Sequence, residues 1–221
     1  MNTDKFKNKR KQMVQKLKSQ GIIESDSVFN AMLTIPRHEF LSPSSWEYAY
    51  IDSPLQIDEN QTISAPHMNA MMCEYLDLKL GQKVLEIGTG SGYHAALLAI
   101  LVSLEGHVYT IERHSKLAHL AKETFNRLNF SNITVITGDG TLGWELDAPY
   151  DRILVTAASP TVPKPFINQL SPDHGILCLP VGTKHLWQNL YVVIREGNDI
   201  QKHNVCGVRF VPLIGKYGFN E

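Results

Sequence analysis

The sequence predicts an α/β fold: a Rossmann-like, doubly wound, mostly parallel sheet with helices on both faces, antiparallel C-terminal strands and a helical N-terminal extension. Three observations carry this expectation. Short β-branched or apolar runs recur at 84–87, 107–111, 133–137 and 152–156, and helix-forming stretches at 93–104 and 115–128 lie between the first three. That alternation belongs to a parallel sheet covered on both faces. The first run passes through Gly88-Thr89-Gly90-Ser91-Gly92 into Ala95-Ala96-Leu97-Leu98-Ala99, which reads as strand, tight loop and helix N-terminus. The later runs at 175–179, 190–195 and 205–211 follow a short helix at 163–170 and have no helices between them, so they predict an antiparallel edge.

Taken in order, Met13, Val14 and Leu17 share one face of a first helix whose other face carries Lys16 and Lys18. Ser25 or Asp26 can cap a second helix through Val28, Phe29, Met32 and Ile35, which Pro36 stops. The stretch 36–60 reads as irregular, with Phe40, Trp46, Tyr48 and Tyr50 among turn residues. A third helix begins near Ala65-Pro66 and runs through Met71, Met72, Tyr75 and Leu76. The chain is therefore expected to form one domain over 1–221, with residues 1–80 as a helical extension and 81–221 as the α/β core. Its 221 residues suffice for one substantial core.

Composition narrows the function classes. Hydrophobic residues are 43% and charged residues 19%, as in an ordinary globular protein, and the net charge of −1 gives no broad basic surface for nucleic acid. No apolar stretch approaches the roughly 20 residues of a membrane span, and no hydrophobic signal core follows the basic N-terminus. Cys73, Cys178 and Cys206 are odd in number, far apart and set among apolar residues, which points to a reducing cytoplasm rather than to disulfides. Neither they nor the nine histidines show metal-ligand spacing, so no metal is expected.

In a doubly wound sheet the ligand lies at the carboxyl ends of the strands. Gly88, Gly90, Ser91 and Gly92 form the loop after the first strand, and the alternative there is a tight turn without a ligand. Glu112 ends the second strand and can accept hydrogen bonds from both hydroxyls of a ribose, unless it is only a solvated acid. Asp139 and Gly140 end the third strand, where Asp139 can accept from an adenine amino group and Gly140 leaves room for the ring; Asp-Gly is also plain turn chemistry. The fourth strand ends in Thr156-Ala157-Ala158-Ser159, small residues that leave space without the Asn/Asp-Pro-Pro-Tyr clamp used to methylate nucleobase amino groups. Ser64, before Ala65-Pro66, stands where a helix N-cap belongs.

The Gly-x-Gly-x-Gly loop resembles the first motif of S-adenosylmethionine-dependent methyltransferases. The block Gln61-Thr62-Ile63-Ser64-Ala65-Pro66-His67-Met68 narrows the likeness: the chain resembles the protein-L-isoaspartate O-methyltransferase family. Further matches are Pro36-Arg37-His38, the loop from Glu86 to Tyr93, Gly138-Asp139-Gly140, Ala148-Pro149-Tyr150-Asp151, Pro180-Val181-Gly182 and Phe210-Val211-Pro212-Leu213, in the family's order from about residue 28. The resemblance implies S-adenosyl-L-methionine as cofactor, S-adenosyl-L-homocysteine as its product, and methyl esterification of the free α-carboxylate of L-isoaspartyl residues in damaged proteins and peptides. It implies Ser64 as the active-site serine, with Ile63, Gly88, Gly90, Ser91, Gly92, Glu112, Asp139 and Gly140 toward the cofactor. His67, Ala157 and Ala158, with Ser64, are expected toward the substrate, although His67 could equally pack. Asn69 stands where some members have histidine, and its role is open. The chain departs from the family at Asp58-Glu59-Asn60, where glycine-rich residues are usual, and at Ser171-Pro172-Asp173-His174-Gly175, where Lys-Pro-Gly-Gly is usual.

A carboxylate with pKa near 4 is already ionised at pH 7, so the expected reaction needs no strong general base, and Ser64 is expected to orient rather than attack. A large polypeptide substrate needs an open site, which favours a monomer. A non-catalytic isoaspartyl binder and a nicotinamide oxidoreductase are the rival classes. The intact Ser64 and glycine loop disfavour the first, and the Gly-x-Gly-x-Gly spacing with Gly138-Asp139-Gly140 disfavours the second.

Overall fold

The computed structural model describes residues 3–184 and 186–220. Helix α1 (Thr3–Ser19) buries Phe6, Met13, Val14 and Leu17, and α2 (Asp26–Thr34) buries Val28, Ala31 and Met32. Ser25 caps α2 by accepting from the Val28 amide at 3.2 Å. The stretch read as irregular holds two short 3₁₀ turns, Arg37–Phe40 and Pro43–Tyr48, then β1 (Leu55–Gln56) and β2 (Thr62–Ile63), which pair antiparallel. Two-residue strands have too few positions to show a period, so the sequence gives them no signal. Helix α3 (Pro66–Leu76) follows.

The main sheet is built from β3 (Lys83–Ile87), β4 (His107–Glu112), β5 (Ile133–Thr137), β6 (Arg152–Val155), β7 (Gly175–Gly182), β8 (Gln188–Glu196) and β9 (Asp199–Val208), in the order β5-β4-β3-β6-β7-β8-β9. The strands from β5 to β7 in that order run parallel, whereas β7–β8 and β8–β9 are antiparallel. The doubly wound sheet with an antiparallel end is the expected fold. The last strand starts six residues earlier than the expected 205: its first half is exposed on a sheet edge, so polar residues occupy positions that an apolar pattern cannot mark.

Helices α4 (Tyr93–Val102) and α5 (Ser115–Arg127) connect the first three main strands, and α6 (Lys164–Gln169) precedes β7. Helix α4 is buried on nearly all sides because α2 and α3 cover the face turned away from the sheet. One continuous apolar core joins residues of α1, α2 and α3 to Leu97, Leu98, Val108, Leu154 and Cys178. A second cluster, including Leu85, Ile153, Phe166, Leu177 and Val193, fills the other face of the sheet. Among the described residues no helix is long and apolar enough to cross a membrane. After β3 the chain builds β4 and β5 to one side and then crosses to β6 on the other, so a crevice opens at the carboxyl ends of β3 and β6.

Candidate functional site

The loop leaving β3 is held by backbone bonds. Gly88 and Thr89 both donate to the Ile111 carbonyl of β4, at 2.9 and 3.2 Å, which folds the loop back over the sheet. Gly88 has φ +96°, and a side chain there would collide with the Thr156 hydroxyl, which donates to the Gly88 carbonyl at 2.7 Å. Gly92 serves packing instead. It caps α4 at φ +89°, and an added Cβ would stand 2.6 Å from the Phe125 ring. Gly88, Gly90 and Ser91 line the cleft, and Gly92 does not.

Below the loop, Thr110 donates to Glu86 Oε2 at 2.5 Å and, its one proton so used, receives the Thr89 hydroxyl at 2.7 Å. Burial pushes the Glu86 carboxyl up to about 8 despite the Thr110 bond, with nearby Glu112 adding to the rise. Glu112 ends β4 and is 5% exposed. Its Oε2 accepts from the Gly90 amide at 2.8 Å and its Oε1 from the His114 amide at 3.0 Å. The carboxylate thus fixes the glycine loop and the entry to α5 together, and still faces the cleft.

Gly140 lines the cleft beside Ile87 and Ile111, and a Cβ on it would stand 2.7 Å from the Ile87 side chain. Asp139 lies across the Arg113–Ile214 rim, in the adjoining depression. Its Oδ1 accepts from the Thr141 amide at 2.9 Å and hydroxyl at 2.7 Å, and its Oδ2 from the Lys216 amide at 2.9 Å. Partial burial opposes ionisation of Asp139, but these donors outweigh it and hold the pKa below the ordinary value. Asp139 thereby anchors the C-terminal segment that walls the cleft.

That wall, Val211 to Ile214, went unassigned at the sequence level even though Phe210-Val211-Pro212-Leu213 stood out there as a motif. Ala158 holds it: its amide donates to the Val211 carbonyl at 2.8 Å, and its carbonyl accepts from Leu213 at 2.7 Å. Ala158 is fully buried and does not line the cleft, whereas Ala157 does. Thr156, Arg113, His114, Asn69 and His94 also line it. Asn69 and Thr156 stand in the sequence motifs without a role that the sequence assigns.

A second, open groove of about 520 Å³ adjoins the cleft. Pro54, His67, Met68, Trp187, Gln188 and Arg209 are among its walls, and it shares Thr62, Ser64, Thr156 and Val211 with the cleft. Ser64 therefore stands on the partition between the two. Its side chain does not cap α3, where Ala65 takes the N-cap position. Asp52 takes that task, accepting from the His67 amide and from His67 Nδ1, both at 2.9 Å. Ile63 is buried and lines the cleft next to Ser64. The fold thus gathers Ile63, Ser64, Gly88, Gly90, Ser91, Glu112, Gly140 and Ala157 around one cleft and sets His67 in the adjoining groove. Among the described residues no group of three or more His, Cys, Asp or Glu could hold a metal ion.

Comparison with known proteins agrees with this geometry. The model of the protein-L-isoaspartate(D-aspartate) O-methyltransferase family matches residues 8–218. The protein-L-isoaspartate O-methyltransferase of Methanothermobacter thermautotrophicus is 49% identical over 211 residues, covering 95% of this chain and 97% of that one. That of Pyrococcus horikoshii is 50% identical over 214 residues, 96% of each chain. A solved protein-L-isoaspartate O-methyltransferase superposes with a TM-score of 0.85 at 32% identity, over 95% of this chain and 67% of that one. A Plasmodium falciparum protein assigned to the same activity and crystallised with S-adenosyl-L-homocysteine gives 0.83 at 30%, over 93% and 98%. With its glycine loop, its strand-end acid and a serine between two cavities, the chain belongs to the protein-L-isoaspartate(D-aspartate) O-methyltransferase family.

Proposed function

We propose that the cleft binds S-adenosyl-L-methionine and that the adjoining groove presents the free α-carboxylate of an L-isoaspartyl residue to it, so that the chain esterifies damaged proteins and peptides. The observation that carries this reading is the place of Ser64, which lines both the cleft at the strand ends and the open groove beside it.

The residues fit the cofactor. A carboxylate has about four acceptor positions, and the Gly90 and His114 amides occupy two on Glu112, leaving one on each oxygen for the two ribose hydroxyls. Gly88, Gly90 and Ser91 expose backbone to the methionine part, with Ile63 opposite. Gly140 and Ala157 leave room for flat, apolar surface, and Asp139 keeps acceptor capacity on Oδ2 toward the adenine amino group beyond the rim. Gly92 acts through the turn that sets these groups. When bound, S-adenosyl-L-methionine supplies an electrophilic methyl on a cationic sulfonium and leaves as S-adenosyl-L-homocysteine.

The chain's own task is then orientation and exclusion of water. The substrate carboxylate arrives ionised, so no residue has to remove a proton. Ser64 donates a hydrogen bond to one carboxylate oxygen and leaves the other free to take the methyl. His67, fixed by Asp52, and Thr156 border the bound residue, while Ala158 holds the wall behind it through its backbone. Flanking residues bind along the open groove mainly through their backbones. The ester carbonyl releases methanol far more readily than a free carboxylate releases hydroxide, so the next backbone amide nitrogen attacks that carbonyl, methanol leaves with the amide proton, and water then opens the succinimide in part to normal aspartate. We place this repair in a reducing cytoplasm and in a monomer whose groove stays open to large substrates.

Incubation with methyl-labelled cofactor and an isoaspartyl peptide tests the reading. Label should enter the peptide as a base-labile ester that releases methanol. Base-stable label, or no label, would contradict it.

A further inference from the structure

Arg37 is fully buried. Its Nε donates to the Ala49 carbonyl at 2.9 Å, its Nη1 to Asn69 Oδ1 at 3.2 Å, and its Nη2 to the Ser64 carbonyl at 2.7 Å. The guanidinium lies 4.9 Å from the Tyr93 ring centroid. The three acceptors come from three separate segments: the end of the second 3₁₀ turn, helix α3, and the strand-to-helix link that carries Ser64. Among the described residues no carboxylate lies within ion-pair distance of it. Burial lowers its pKa to about 10, against the pull of Tyr93, Tyr50 and Asp52, so it stays charged at neutral pH. A buried cation without an acid is costly, and apolar side chains of similar size often serve packing as well or better. What an apolar side chain cannot do is hold a carbonyl.

We propose that Arg37 is the positioning residue for Ser64: its planar fork fixes the Ser64 backbone from behind, so that the hydroxyl keeps one place on the partition between cleft and groove. This rests on the role of Ser64 proposed above. Asn69 is the brace. Because its Oδ1 accepts from Arg37, its Nδ2 is left to donate to His94 Nδ1 at 3.1 Å. Burial and then Arg37 push His94 down to about 3, so the ring is neutral, and its remaining proton on Nε2 points at Cys73 Sγ, 3.4 Å away. Arg37 thus donates both to the Ser64 carbonyl and to Asn69, and from Asn69 the bonds run donor to acceptor through His94 to Cys73, which ties the Ser64 link to α3 and α4. Lysine would keep the charge but could not span three acceptors on three segments, which accounts for arginine here.

A double-mutant cycle tests the proposal. Arg37→Gln should lower kcat on an isoaspartyl peptide at least tenfold while S-adenosyl-L-homocysteine affinity stays within threefold of wild type. Combined with Ser64→Ala, it should cost no more than a further twofold, because the residue it positions is already gone. Losses that multiply in the double variant would overturn the proposal. Arg37→Lys carries the same cycle if the glutamine variant does not fold. On its own the lysine variant should remain at least fivefold slow, and full rescue by lysine would show that charge rather than the fork matters and also overturn the proposal. Hydrogen exchange supplies a readout that needs no substrate. In Arg37→Gln the segment 62–69 should exchange faster while 83–87 does not change, and identical exchange in 62–69 counts against the proposal. If the wild-type protein forms no isoaspartyl ester, the proposed function fails, and hydrogen exchange alone decides on Arg37.

Discussion

At the residue scale, what each side chain already holds decides what it can offer a ligand. Both oxygens of Glu112 accept backbone amides, so glutamine is not a conservative replacement: its NH₂ would face the Gly90 or the His114 donor. Hydrogen bonds to a charged group contribute about 1.5–3 kcal/mol. Glu112→Ala should therefore weaken S-adenosyl-L-homocysteine binding at least tenfold by titration calorimetry, and Glu112→Gln should come close to it; an unchanged dissociation constant would remove Glu112 from the cofactor site. Asp52 caps α3, and orientation of the substrate is the role proposed for Ser64. Ser64→Ala should cut turnover by about one to three orders of magnitude, the cost of losing a bond that orients a reacting group, and leave the thermal midpoint nearly unchanged. Asp52→Ala should instead cost about 0.5–2 kcal/mol of stability, as loss of a cap does. A serine before Ala-Pro reads in sequence as a cap, and that alternative stayed open there because Asp52 reaches the His67 amide only through the fold. Asp139 shows the converse: the Gly-Asp-Gly strand end was visible, but the Lys216 amide that it holds lies 77 positions away.

At the element scale, the β3–loop–α4 unit was legible because it is local. One strand, three glycines and a helix carry their own periods and turn chemistry, and the structure keeps them nearly residue for residue. Which glycine faces the ligand was not legible, since Gly92 is required by Phe125 of α5. Gly92→Ala combines a positive-φ backbone, costing roughly 1–2 kcal/mol, with overpacking, costing roughly 1–3 kcal/mol. Its thermal midpoint should fall by several degrees at least, and an unchanged midpoint would contradict a tight fit of Gly92 against Phe125. Glu86, at the end of β3, gives the unit a pH signature. Its folded pKa of about 8 lies above the ordinary carboxylate value, so the folded state binds the proton more tightly than the unfolded one. Its contribution to stability is complete below about pH 4.5 and is lost as pH rises toward 8. Relative to Glu86→Gln, the wild-type protein should thus lose stability in denaturant titrations between pH 5 and pH 8. A constant difference across that window would place the carboxylate in a more polar setting. The short strands β1 and β2 and the early start of β9 escaped the sequence because pairing partners and edge exposure, rather than apolar alternation, define them.

For the whole molecule, the helical extension is part of the core, since its apolar faces complete the packing around α4. The same closure brings Arg37 under Ser64 and sets β2 and the Ser64 link across the cleft from β3 and β6, while the chain returns at 211–214 as its outer wall. Site geometry of this kind belongs to the assembled fold and is written in no single segment. It also bears on selectivity. An isoaspartyl linkage inserts one methylene into the backbone and leaves the α-carboxylate as a short branch, whereas ordinary aspartate carries its carboxylate one methylene out from a normal backbone. On the proposed role of Ser64, which lines both cleft and groove, the first linkage should bring its oxygen to the cofactor side and the second should not, and a misplacement of about 1 Å costs on the order of a hundredfold in rate. The most direct test is steady-state methylation of paired peptides that differ only in this linkage. Their kcat/KM values should differ by more than about a hundredfold in favour of the isoaspartyl peptide, while comparable methylation of both would contradict the repair function and leave a general carboxyl methyltransferase.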